Sequence, residues 1–333
     1  MNNIEKVIVI GSNSFSGATF VNYALDQGVE VFGVSRSKEL NPCFLPYHWN
    51  ASNLKKFTFF ELDLNKNLTE IVDLINDEKI AYVVNFAAQS MVAESWQTPE
   101  DWFMTNVVST VKFHDQLRKI DLLKRYVHAS TPEVYGSCEG FVDENFSFNP
   151  STPYAVSRAA ADLSLKTFFS SYNFPVVITR AANVYGPGQQ LYRIIPRAIM
   201  YIMLGMKLQL HGGGYSTRSF IHMEDVSDAT WKIMKNGQNG EAYHISTNEV
   251  VSIRDLVALI CNKLEVNFDD YVEVVGERLG KDSAYHLDST KIRSNLKWSD
   301  RIKLDSGLDE CIAWVKDNLK TLRDQPFNYI HKA

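Results

Sequence analysis

Short β-branched runs alternate with amphipathic stretches through the first half of this chain. The apolar runs fall at Val7–Ile10, Val29–Val34, Phe57–Leu62, Tyr82–Ala87, Arg125–Ala129 and Val176–Arg180, which predicts six strands. Helical periodicity fills the intervals: from the turn after Ile10 to about Gln27, over Leu68–Asp77, and in two long segments opening at Thr98 and Thr152. Each long segment begins with a threonine followed by proline. The threonine suits the N-cap, and Pro99 or Pro153 suits the first helical position. Asp101 adds negative charge to the first turn. Strands joined by helices of this length imply a parallel sheet. After about Gly186 the rhythm shortens, with helices expected near Ile194–Leu204, Met223–Asn236, Ile253–Lys263 and Leu304–Leu319. The chain is therefore expected to divide into a larger part, 1–185, and a smaller lobe, 186–333, some of whose elements return to the sheet.

Composition narrows the class. A 333-residue chain with 45% hydrophobic and 22% charged residues can bury the core of an ordinary globular enzyme. Lysine plus arginine (34) against aspartate plus glutamate (39) leaves a net charge of −5, which argues against a nucleic-acid partner. Phosphate groups would have to be held by local arginines and backbone N–H groups. Cys43, Cys138, Cys261 and Cys311 are not spaced as a metal clip or redox pair, and the eight histidines form no ligand-spaced cluster. No metal is expected. No stretch approaches the ~18 apolar residues of a membrane span. A cytoplasmic protein with no membrane contact is expected.

The first strand-to-helix turn reads Gly11-Ser12-Asn13-Ser14-Phe15-Ser16-Gly17. Small residues at such a turn let backbone N–H groups and the helix N-terminus face a pyrophosphate. This predicts a dinucleotide site on an α/β, Rossmann-type doubly wound parallel sheet, with a smaller C-terminal α/β substrate lobe. Gly11, Asn13, Ser14, Phe15 and Gly17 are its candidate residues. Serine stands at position 14 where the usual pattern has glycine. The second strand ends in Ser35-Arg36-Ser37, with no acid to bind a ribose 2′-hydroxyl. An arginine flanked by hydroxyls suits a 2′-phosphate, so NADP is favoured, with NAD as the other candidate. Asp63 and Leu64 after the third strand, and Ala87, Ala88 and Gln89 after the fourth, complete the expected cofactor contacts. Helix capping is the competing role for Asp63.

Three pieces converge at the C-terminal ends of strands, where open parallel sheets bind ligands. They are Asn85-Phe86-Ala87-Ala88-Gln89-Ser90, Ser130-Thr131-Pro132-Glu133-Val134-Tyr135-Gly136, and Tyr154-Ala155-Val156-Ser157-Arg158. Tyr154 and Arg158 are four apart and share a helical face. With Arg180-Ala181-Ala182-Asn183-Val184-Tyr185-Gly186-Pro187-Gly188 and the run Arg218–Val226, these motifs resemble the nucleotide-sugar epimerase/dehydratase branch of the extended short-chain dehydrogenase/reductases. The resemblance covers nearly the whole chain. It is greatest to the nucleotide-sugar 4,6-dehydratases of the GDP-mannose and dTDP-glucose type.

That resemblance implies a substrate, a nucleotide-diphosphate sugar, and a set of roles. Tyr154 would take the proton of the C4 hydroxyl, helped by Thr131 on the same oxygen and by the Arg158 charge. Glu133 would remove the C5 proton as the C6 hydroxyl leaves, and the hydride taken from C4 would return to C6. Ser90, Asn183, Arg218 and Arg278 would hold the sugar nucleotide, whereas Arg193 and Arg197 read equally well as surface charges. Two positions depart from the pattern: Arg158 replaces lysine, and Pro132 replaces an aspartic acid that would protonate the leaving hydroxyl. These departures leave open a C4 or C5 epimerase, then a UDP-glucuronate decarboxylase-like enzyme, then a non-catalytic NADP-binding protein. The resemblance also implies a homodimer through a four-helix bundle of the segments opening at Thr98 and Thr152, with Trp102, Phe103 and Phe168 as apolar candidates.

Overall fold

The computed structural model describes residues 5–276 and 286–332. Its first half runs β1 (Lys6–Ile10), α1 (Phe15–Asp26), β2 (Glu30–Ser35), β3 (Phe57–Glu61), α2 (Leu68–Asp77), β4 (Tyr82–Asn85), α3 (Pro99–Phe103), α4 (Thr110–Leu117), β5 (Arg125–Ala129), β6 (Phe141–Val142), α5 (Pro153–Tyr172) and β7 (Val176–Ala181). The second half continues with β8 (Asn183–Tyr185), α6 (Ile194–Met203), β9 (Leu208–His211), β10 (Thr217–Arg218), β11 (Phe220–His222), α7 (Met223–Asn236) and β12 (Ala242–Ile245). β13 (Val251–Ser252), α8 (Ile253–Lys263), α9 (Phe268–Tyr271), β14 (Val272–Val275), β15 (His286–Leu287), α10 (Thr290–Leu296) and α11 (Leu304–Leu322) follow.

Seven strands form one parallel sheet in the order β12-β7-β5-β4-β1-β2-β3. Side chains alternate along each strand, so a sheet covered on both faces needs unbroken apolar runs. Val7 and Val9 pack with α1 and α7 on one face. Ile8 and Ile10 pack with Ile71, Ile75, Phe113, Leu117 and Leu165 of α2, α4 and α5 on the other. β12 carries the second half back to the sheet edge beside β7. A separate core around α6, α8 and α11 supports the remaining elements.

Two local expectations change. Thr152 caps α5 through the N–H of Ala155 at 3.2 Å, but the Thr98 hydroxyl makes no such bond to α3. Its hydroxyl is drawn instead toward Asp101 and His331. The long helix expected from Thr98 is also interrupted. Between α3 and α4, Met104–Ser109 winds as a π-helix, a form that occurs mostly as short bulges at functional sites. The bulge turns Asn106 into the protein, fully buried.

Candidate active site

The switch in strand order lies between β1 and β4, and a cleft of about 1040 Å³ opens at the C-terminal ends of these strands. That is at the upper end of the usual range for one small-molecule site, about 300–1,000 Å³. It is bounded by the turn after β1, the ends of β2 to β5 and β7, the start of α5, and the second-half segments around 189–197 and 208–218.

The turn after β1 is built for close approach. Gly11 has φ +84°, and a side chain there would stand 2.7 Å from the backbone nitrogen of Ala87. A side chain at Gly17 would meet the Gly11 carbonyl oxygen at 2.1 Å, so α1 can only start this near the turn with glycine. Gly17 is not among the residues that line the cleft, and it lets the helix close on the turn. Ser14 is the N-cap of α1. Its Oγ accepts from the Gly17 N–H at 3.0 Å and donates to the Gly11 carbonyl at 2.7 Å. Serine in the usual glycine position thus fastens both ends of the turn.

Other expected cofactor residues line the same space, several with side chains already committed. The Asn13 N–H donates to Ser35 Oγ at 2.9 Å, and its amide donates to the carbonyls of Ser37 and Lys38 at 2.7 and 2.9 Å. Arg36 and Ser37 line the cleft beside this brace. Asp63 Oδ1 accepts from the Asn65 N–H at 2.9 Å inside the loop, while Asn67 and not Asp63 stands at the N-cap of α2, and Asp63, Leu64 and Phe15 all border the cleft. Ala87, Ala88 and the exposed Ser90 follow β4 on its floor. The Gln89 amide donates to the carbonyl of Lys332 at 2.7 Å, a contact from the far end of the chain.

Thr131, Glu133, Tyr154 and Arg158 come together around the ends of β5 and α5. Thr131 and Tyr154 share a side-chain hydrogen bond. The Tyr154 hydroxyl is pushed up to about 12, chiefly by burial and then by the Glu133 carboxylate; Arg158, Thr131 and Arg193 pull it back only in part. Burial therefore outweighs the cation one turn away.

Arg158 is 2% exposed. Its Nη2 donates to the Ala129 carbonyl and to His128 Nε2, the latter at 3.3 Å. His128 is held neutral by burial and by the neighbouring guanidinium charges, so Nε2 can accept. Arg158 Nε and Nη1 are buried with no hydrogen-bond partner among the described residues. Two unmet donors on a cleft-lining cation fit the hydroxyls of a bound ribose, and the glycine cradle fits a pyrophosphate. The residues present thus fit a nicotinamide dinucleotide.

Beneath the site, Asp162 Oδ2 binds Arg180 Nη2 at 2.8 Å, with both residues fully buried. Asp162 also accepts from Ser130 Oγ at 2.8 Å, and Arg180 donates to Tyr135 Oη at 2.7 Å. This network pins the start and end of the Ser130–Gly136 loop to α5 and β7.

On the opposite wall, Asn183 and the 8%-exposed Arg218 line the cleft, with Arg218 Nη1 donating to the Thr217 carbonyl at 2.7 Å. Arg278 lies outside the described residues. Arg193 and Arg197 also line the cleft, and Arg193 acts on Tyr154. Sequence reasoning missed Asn106. Its Oδ1 accepts from the Gln89 N–H at 2.9 Å, and its Nδ2 donates to the Gln89 carbonyl and Ser157 Oγ at 3.0 and 2.9 Å. It joins the loop after β4 to the helix of Tyr154. Ser95 Oγ likewise accepts from the Tyr154 N–H at 3.2 Å. Among the described residues, no cluster of three or more His, Cys, Asp or Glu side chains could hold a metal, and no helix is long and apolar enough to cross a membrane.

Residues 8–311 match the family model described as GDP-mannose 4,6 dehydratase. The chain belongs to this family. It is 32% identical to the dTDP-D-glucose 4,6-dehydratase of Homo sapiens, over 80% of this chain and 77% of that one. It is 31% identical to the dTDP-glucose 4,6-dehydratase of Streptomyces niveus, over 94% and 93%. The dTDP-glucose 4,6-dehydratase of Streptomyces venezuelae, crystallised with NAD bound, superposes with a TM-score of 0.85 at 27% identity, over 95% of this chain and 98% of that one. Membership makes the chain an enzyme of the nucleotide-sugar 4,6-dehydratase class, a lyase.

Proposed function

We propose that Tyr154, Thr131 and Glu133 divide a nucleotide-sugar 4,6-dehydration between two proton-transfer centres in this cleft. The observation that carries the reading is the placement of Glu133 against the Thr131–Tyr154 pair, close enough for its charge to raise the tyrosine. Tyr154 takes the proton of the C4 hydroxyl while Thr131 holds the same oxygen. Held by the Gly11–Ser14 turn and Arg158, a nicotinamide dinucleotide would supply the reversible hydride acceptor for C4 and C6. With C4 a ketone, Glu133 removes the proton at C5. Pro132 has no proton to give, so Glu133 itself delivers that proton to the departing C6 hydroxyl, which leaves as water. Asn183 and Arg218 hold the diphosphate side.

The same reading covers the cofactor and assembly. NAD is bound in the Streptomyces venezuelae structure, and Arg36 on the cleft wall of this chain supports NADP. Phe103, Met104 and Val108 on the α3–π segment, and Val156 and Leu163 on α5, remain exposed on elements that pack against each other. They supply an apolar face for a homodimeric four-helix bundle. Trp102 is fully buried and does not contribute to that face, and the half-buried Phe168 packs against the core.

Mass spectrometry of the protein with GDP-mannose, dTDP-glucose and UDP-GlcNAc, each with NAD or NADP, tests the proposal. Loss of one water from one substrate is expected. An isomer of unchanged mass would transfer the site to epimerase chemistry.

A further inference from the structure

The residues after α11 do not trail away from the protein. Arg197 of α6 donates to the Phe327 carbonyl and, at 2.8 Å, to Asn328 Oδ1, and the Phe327 ring meets Tyr201 edge-on at 5.8 Å. The segment then crosses the cleft. Tyr329 packs edge-on against Tyr192 at 5.5 Å, and its hydroxyl reaches Gln89 Oε1 at 3.5 Å. Beyond the cleft, His331 Nε2 lies 2.7 Å from Asp101 Oδ2, and its ring stacks on Trp102 at 4.9 Å and 12°. The Lys332 carbonyl takes the other end of the Gln89 amide at 2.7 Å. One side of this crossing is anchored in the second half of the chain, the other on the loop after β4 and on α3.

We propose that Pro326–Lys332 is a strap that builds the outer wall of the hexose end of the cleft, with Tyr329 and Glu94 as specificity-determining residues that meet the sugar. The inference rests on the dehydratase reading above. Tyr329 lines the cleft between Tyr192 and Gln89, and Glu94 on the same cleft directly precedes Ser95, whose Oγ accepts from the Tyr154 N–H at 3.2 Å, which brings this wall to the catalytic tyrosine. Glu94 lines the same wall and influences Tyr329; its Oε2 is buried and has no hydrogen-bond partner among the described residues. A buried carboxylate oxygen in a ligand cleft calls for a donor, so the sugar presents a hydroxyl or amino group there. The strap's outer anchor, His331 on Asp101 and Trp102, does not line the cleft and holds the wall in place from behind.

Steady-state kinetics of Tyr329→Phe, Glu94→Gln and His331→Ala test this, with the matching nucleoside diphosphate as a competitive inhibitor. Each variant is expected to raise KM for the sugar nucleotide about three- to tenfold, the effect of one hydrogen bond, and to leave the inhibition constant of the nucleoside diphosphate within about twofold. An equal shift in both constants would make the strap a nucleotide-binding or merely structural element, and unchanged constants would remove it from the site altogether. Amide exchange provides a readout independent of turnover: residues 326–332 should slow with the sugar nucleotide and not with the nucleoside diphosphate alone. Equal protection by both ligands overturns the sugar contact. A wild-type protein that dehydrates no sugar nucleotide overturns the dehydratase reading, and with it the sugar assigned to the strap.

Discussion

The Gly11–Gly17 turn and the strap at Pro326–Lys332 line opposite parts of one cleft, and the chain arrives at them by different routes. In the turn, the cap and the steric demand that shape it lie within six residues, and the braces beyond it reach only Val34 to Lys38 and Ala87. Ser14 bonds Gly11 and Gly17, and the steric demand on Gly17 comes from Gly11 itself. In the strap, the partners are Gln89, Asp101, Trp102 and Arg197, all more than a hundred residues away in sequence. Local chemistry writes itself into a short motif. Long-range closure leaves only scattered Tyr, His and Lys residues that look like any polar tail.

Substitutions can pull the two regions apart. Among the local motifs, Tyr154→Phe has the largest expected effect: C4 oxidation should fall by about 10²–10⁴-fold, seen as lost formation of reduced dinucleotide in a single turnover. A rate near that of the parent would take Tyr154 out of the reaction. Next is the buried ion pair beneath the site. Arg180→Ala leaves Asp162 in the core without its counter-charge, and should cost about 3–5 kcal/mol of stability in a denaturant titration. A cost below 1 kcal/mol would show that the pair does not pin the catalytic loop. At the end of β2, Arg36→Ala should weaken NADP binding by about 10- to 100-fold, the worth of a charged hydrogen bond, and leave NAD nearly unchanged. Parallel loss of both would make Arg36 a wall residue rather than a 2′-phosphate ligand. The smallest effect separates cap from cradle. Ser14→Ala should lower stability by about 1 kcal/mol, while Ser14→Gly should cost only a few tenths. Thermal melts of the two variants would reveal whether the serine acts through its hydroxyl.

What was legible in the sequence follows the same division. Six of the seven strands of the sheet could be placed because the inner ones are buried on both faces and so read as apolar runs; β1, with Val7 to Ile10 all buried, is the clearest case, whereas β12 was not foreseen. The pairing of Thr131, Glu133, Tyr154 and Arg158 was readable because sheet topology brings strand ends to one edge. The interruption of the helix after Thr98 was not. A π-helix at Met104–Ser109 has no compositional mark, so the inward turn of Asn106 and its grip on Gln89 appear only in three dimensions. Arg193 and Arg197 carried no sign of their position, because a cleft-facing arginine and a solvated one look alike along the chain. The balance of forces on Tyr154 was legible only in part. Helical spacing located the Arg158 cation, but burial and Glu133 together outweigh it.

That balance gives a pH dependence. With the Tyr154 hydroxyl held up at about 12, the residue carries its proton at neutral pH, so C4 oxidation should speed up as pH rises. Removing the Glu133 charge lowers the tyrosine, so in Glu133→Gln the rising limb should move to lower pH. An unmoved limb would mean that the carboxylate does not act on the tyrosine.

The division of labour between Tyr154 and Glu133 is tested most directly by Glu133→Gln, mixed with the sugar nucleotide and oxidised dinucleotide in a single turnover. Absorbance reports the reduced cofactor, and mass spectrometry reports loss of water. The account predicts that reduced dinucleotide still forms and that the 4-keto-6-deoxy product does not. Release of that product at the parent rate would contradict it, and would leave the elimination to some group other than Glu133.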